Sequence, residues 1–124
     1  MTLKRITLRL ARNPEAGFPD GDPARGYTIV APLDAEGRLD AAAWRDVRER
    51  CTVVRFSPDP DERAEGFLSH RGTHWLFRYD EAEEGPDEEV HRLGEHRLIV
   101  GEYVSIFHGR DGGLAYRVAD VSPA

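Results

Sequence analysis

Four polar side chains, Arg55, His74, Arg78 and Glu102, sit inside runs that otherwise read as buried strands. A charge in such a place needs a partner or a ligand. Arg55 closes the run Thr52-Val53-Val54, and His74 and Arg78 flank Trp75-Leu76-Phe77. Gathered with Tyr116 in one concavity beside Trp75, their guanidinium groups would clamp a carboxylate or phosphate. The competing reading is structural: Arg55 or Arg78 pairs with a nearby carboxylate, or extends its aliphatic stem to the sheet edge. Arg55, His74, Arg78 and Tyr116 are therefore the candidate ligand-binding residues. No residue is assigned a catalytic role.

Five histidines invite a search for metal ligands. His70 and His74 have the spacing that shares a helix face, but a tight turn at Arg71-Gly72 sends them to opposite faces of a hairpin. His91 and His96 straddle Gly94 with no cysteine or third histidine at a characteristic spacing. His108 ends a strand beside a glycine turn and is expected to be exposed. Asp20-Gly21-Asp22 lacks the further oxygen ligands and closing glutamate of a calcium loop. No metal and no cofactor is expected.

Other reactive patterns are missing. Gly109, Gly112 and Gly113 lie between two strands rather than before a helix, so they serve a turn and not a phosphate. Neither Gly-x-Ser-x-Gly nor a Ser–His signature occurs. Cys51 continues the apolar stripe of a helix and reads as a small core residue. Trp75, Phe77 and Tyr79 alternate as a strand core does, and the acidic balance argues against a base-stacking ladder.

The chain has 124 residues and a formal net charge of −6, which fits one domain, 1–124, and disfavours binding to nucleic acid. Lys4 is the only lysine against abundant arginine, as the codon bias of a GC-rich bacterial genome would produce. No apolar run is long enough to cross a bilayer, and Arg5, Arg9 and Arg12 interrupt any signal-like stretch at the start. A lone cysteine forms no intrachain disulfide. The expected setting is the cytoplasm, with no membrane partner.

The elements that would position these residues follow from periodicity. Leu3 to Ala11 alternates with Ile6, Leu8 and Leu10 on one face. Residues 13–26 carry three prolines and three glycines and read as a long irregular loop. Tyr27–Ala31 is a strand ended by Pro32. The main helix spans about 40–51, with Asp40 as cap, Leu39 and Trp44 as a hydrophobic staple, and Trp44, Val47 and Cys51 buried. Thr52–Phe56 is a strand, and Asp59-Pro60-Asp61-Glu62 starts a single helical turn stopped by Gly66.

Phe67–Tyr79 forms a hairpin with large apolar groups on both faces, hence covered on two sides. Asp80 to Glu89 is a strongly acidic run, read as a solvated segment. Pro86 opens a short helix that ends at Gly94. In the last hairpin, a three-residue turn at Arg110-Asp111-Gly112 pairs His108 with Leu114, Ile106 with Tyr116 and Val104 with Val118.

The resulting fold class is α+β and β-dominated: a mostly antiparallel curled sheet or small open barrel, with one main helix packed against it. The function read from it is a non-catalytic binding or accessory module. The alternatives are a small enzyme or metabolite-binding barrel with an anion-accepting pocket, and a protein-interaction domain that uses acidic segment 80–89. The expected partner is a small anionic ligand or a protein.

Overall fold

Alternation of apolar and polar side chains governs nearly every strand. In β1 (Thr2–Leu10), Ile6, Leu8 and Leu10 point inward and are buried. The same period buries Tyr27, Ile29 and Ala31 in β2 (Asp22–Leu33) and Val53 in β3 (Thr52–Phe56). Leu68 is buried in β4 (Ala64–Arg71), as are Trp75 and Phe77 in β5 (His74–Tyr79) and Val90 in β6 (Glu88–His91). Val104 and Ile106 in β7 (Tyr103–Phe107) and Tyr116 and Val118 in β8 (Leu114–Pro123) complete the set. The structure is a computed structural model that describes residues 2–79, 88–107 and 113–124.

Each strand pairs antiparallel with the next, and β8 returns to β1, so the eight strands form a closed barrel rather than an open one. Closure leaves no sheet edge unpaired around the ring. The strand-dominated, antiparallel architecture with one short helix matches the fold class read from the sequence. The β1–β8 seam bends where Thr7 pairs with Asp120 and Leu8 with Val118, leaving Ala119 as an extra residue on β8.

One end of the barrel is plugged. Asp40 accepts from the Ala43 amide at 3.0 Å and starts α1 (Ala41–Val47), which tightens into a 3-10 turn at Arg48–Arg50. Leu39, Trp44, Val47 and Cys51 are all buried, as the stripe predicts. The Trp44 indole donates to the Leu68 carbonyl at 3.0 Å and meets Trp75 edge-on, 5.8 Å between ring centres. Burial pushes the Cys51 thiol up to about 11, which keeps it an unreactive core group. Leu93 and Leu98 fill the same end.

Several expectations are corrected. The last hairpin pairs Ile106 with Leu114 and Val104 with Tyr116, two residues away from the register derived from the turn. An even shift leaves every side chain on its face, so Val104 and Val118 are still buried together. Neighbours set this register: Val90 pairs with Ile106, and Leu10 with Tyr116. The expected turn residues and His108 lie outside the described residues. In the β4–β5 hairpin Arg71 pairs with His74, so Gly72 and Thr73 make the turn instead of Arg71-Gly72, with Gly72 at φ +63°. Its outer face is not covered, since Phe67 is 52% exposed.

The helix expected over 86–94 is absent where it is described: Glu88–His91 is β6, followed by a 3-10 turn at Leu93–Glu95. Glutamate favours helix locally, but a strand is needed to bridge β5 and β7, and tertiary pairing wins. The irregular loop of 13–26 is partly ordered. It holds a 3-10 turn at Pro14–Ala16, and β2 begins at Asp22, with Pro23, Ala24 and Arg25 bulged out between Leu10↔Asp22 and Arg9↔Gly26. Gly66 does not stop the turn at Pro60–Glu62 but lies inside β4. A Cβ there would fall 2.1 Å from the Arg78 carbonyl oxygen.

Gly66→Ala is therefore expected to lose about 1–3 kcal/mol, since backbone must move to admit the methyl group. Asp40→Ala should lose about 1 kcal/mol through its cap. Urea unfolding of both variants checks this, and a Gly66→Ala variant as stable as the parent would contradict the β4–β5 approach.

Candidate ligand-binding site

Because the strands run up and down, the end opposite the helix gathers the C-terminal ends of β1, β3, β5 and β7 and the N-terminal ends of β2, β4, β6 and β8. Here the barrel opens into a pocket of about 880 Å³. Leu10, Phe18 and Leu114 form its apolar wall, and Arg55 and Tyr116 form its floor.

Beneath that floor lies a polar cluster inside the barrel. Glu88 is only 3% exposed. Tyr27 Oη donates to both of its carboxylate oxygens, 3.1 Å each, and Tyr79 Oη donates to Oε1. Arg55 Nη1 donates to Oε2 at 2.9 Å, while Arg55 Nε donates to the Glu62 carbonyl. Strand period explains the convergence. Glu88 shares a face with Val90, Tyr79 with Phe77, and Arg55 with Val53, while the Tyr27↔Arg55 pairing sets the two side by side. The Arg55 guanidinium also lies over the Tyr79 ring, 5.2 Å from its centre, and the Tyr27 ring contacts Phe77 and Tyr116 at 5.1 Å each.

A second layer lines the mouth. The bulge at Pro23–Arg25 aims Arg25 across the opening, between Asp22 Oδ2 at 3.0 Å and Glu62. Ser57 Oγ donates to Glu62 Oε1 at 2.6 Å. The Arg25 guanidinium stands over Phe18, 5.2 Å from the ring centre. Asn13 fixes the loop that carries Phe18. Its side-chain amide donates to the Ala115 carbonyl at 3.0 Å and accepts from the Ala115 amide at 2.9 Å, as a strand partner would.

Burial dominates the proton affinities. It raises the pKa of Tyr27 and Tyr79 far above the ordinary phenol range, with Glu88 adding to the effect. Tyr116 is pushed up to about 12, chiefly by burial. Burial is the largest single influence on Arg55 and works against its charge, but Glu88, Tyr79 and Tyr27 together outweigh it and the net shift is upward. The phenols thus stay protonated and act as donors, and the carboxylate already accepts from three groups.

Of the residues singled out by sequence, Arg55 and Tyr116 meet at the pocket floor. His74 and Arg78 do not: both are exposed on the outside of β5, Arg78 opposite Phe67. Trp75 lies at the helix end, stacked near His70 at 4.2 Å, and is not beside Arg55. Glu102 precedes β7 and lies 3.7 Å from His96. Of the acidic segment, Glu88 is turned into the barrel, and 80–87 lie outside the described residues. Glu88, Tyr27 and Tyr79 were not singled out. Their signal was the period-2 step from Val90 back to Glu88, hidden by reading that stretch as a helix. Among the described residues no three His, Cys, Asp or Glu side chains are grouped to hold a metal ion, and no helix is long and apolar enough to cross a membrane.

Compared with known protein families, curated proteins and solved structures, the chain gives no significant match. The reading of function therefore rests on the pocket and its side chains.

The raised phenol pKa values carry a sign. Their contribution to stability is complete below the unfolded value of about 10. It is lost as pH rises from there through the folded values, because the unfolded chain releases protons that the folded chain keeps. Phenolate absorbance should thus lag far behind that of the denatured chain above pH about 10 and jump on unfolding. Smooth titration of all four tyrosines near the free value would contradict the buried cluster.

Proposed function

We propose that this protein is a non-catalytic binding module that holds one small molecule in the open mouth of its barrel. A closed eight-stranded barrel has an interior wide enough for side chains or for one small ligand. Among the described residues, the helix end is filled by side chains and the opposite end holds the pocket. The observation that carries the proposal is the 880 Å³ pocket with apolar walls and a polar floor, since such concavities are the usual form of a small-molecule site. The phenols held protonated beneath the floor favour binding over catalysis. A bacterial, cytoplasmic setting belongs to the same proposal, supported by the arginine-rich composition and the single cysteine.

Native mass spectrometry of protein taken directly from cells tests it. The expected result is a retained small molecule at one per chain, absent from Leu114→Trp, which fills the wall, and from Ala16→Trp, which fills the rim. Thermal unfolding confirms that the variants are folded. A retained mass unchanged in both folded variants would place any ligand elsewhere and contradict the proposal. So would an empty protein that also shows no mouth-localised shifts in a fragment screen by NMR.

A further inference from the structure

The charges around the mouth narrow the chemistry of what enters it, an inference that rests on the mouth being a ligand site. Of the three arginines that line the pocket, Arg12 is exposed and donates to the Pro19 carbonyl, while Arg25 and Arg55 already have their counter-charges. Arg25 stands between Asp22 and Glu62, and Arg55 is held by Glu88. An anion that reaches the floor would have to displace one of these carboxylates or lie a few ångströms from it. Either way it gives up hydration without gaining a new opposite charge. An ammonium at the floor meets the like charge of Arg55, although Glu15 and Asp61 also line the pocket. An uncharged molecule meets neither.

Hydrogen-bonding capacity supplies a second constraint. A guanidinium carries five N–H groups. Arg55 donates to the Glu62 carbonyl and to the Glu88 carboxylate. At 26% side-chain exposure it borders the pocket with donors in excess of those acceptors. The floor therefore offers N–H groups, and the group that meets it should be an acceptor such as a carbonyl or ring nitrogen. Above the floor, Leu10, Phe18 and Leu114 supply apolar wall.

We propose that the floor of the mouth selects an uncharged group, so that the ligand is an amphipathic small molecule with a carbonyl-type acceptor directed at Arg55 and an apolar body between Phe18 and Leu114. The anion suggested by Arg55 in the sequence would compete with Glu88 for the same guanidinium.

Three probes of one shape separate the possibilities: 2-naphthamide, 2-naphthoate and 2-naphthylmethylamine, titrated into the full chain at neutral pH and followed by NMR shifts of Leu114 and Tyr116. The expected result is that the amide binds on the order of tenfold tighter than either charged probe. Tighter binding of the naphthoate, tighter binding of the amine, or equal affinities for all three would overturn the inference while leaving a ligand site in the mouth. Failure of all three to bind, or binding that persists unchanged in folded Leu114→Trp and Ala16→Trp, would overturn the site itself. Arg55→Met supplies a further readout: it should erase the amide's advantage over naphthalene, and an undiminished advantage would contradict the role given to Arg55.

Discussion

A carboxylate inside a barrel has to be met by hydrogen-bond donors from every side, and Glu88 imposes that requirement on its neighbours. An ion left unpartnered at that depth would cost several kcal/mol. Tyr27 from β2, Arg55 from β3 and Tyr79 from β5 answer it. Tyr116 from β8 packs against Tyr27 and completes the layer. The cluster thereby links strands spread around most of the ring. It also fixes where the apolar core ends and the pocket begins.

The two ends of the barrel divide the work. At one, α1 and the segment around Leu93 and Leu98 bury Trp44 and Trp75 and leave the interior filled. At the other, the Asn13–Phe18 loop, the Pro23–Arg25 bulge and the turn at Pro60–Glu62 stand around an opening. The bulge matters because a regular strand could not aim Arg25 at Glu62 across the mouth. The closed ring makes this asymmetry possible, since up-and-down connection places all connections of one parity at one end.

Much of the architecture was legible in the sequence. Alternation in Leu3–Ala11 and Tyr27–Ala31, the Asp40 cap and the Trp44, Val47, Cys51 stripe all describe local physics that the fold preserves. Faces survived even where registers slipped, because both hairpins slipped by two residues and period 2 is blind to that error. What failed was non-local. β6 contains two consecutive glutamates with no strong strand propensity, and only pairing to β5 and β7 makes it a strand. The site shared this fate. Arg55, a charge in an apolar run, lines the pocket together with Tyr116. Glu88 was lost among like-charged neighbours, and His74 and Arg78 were on the faces that turn outward.

The central claim is that Arg55 and Glu88 act as one internal unit rather than as two independent polar groups near the mouth. A double-mutant cycle with Arg55→Met and Glu88→Gln, read by urea unfolding at neutral pH, measures this directly. The account predicts that each single change destabilises the fold and that the double mutant recovers part of the loss, with a coupling of about 1–3 kcal/mol. Additive effects of the two changes, with no recovery, would contradict it.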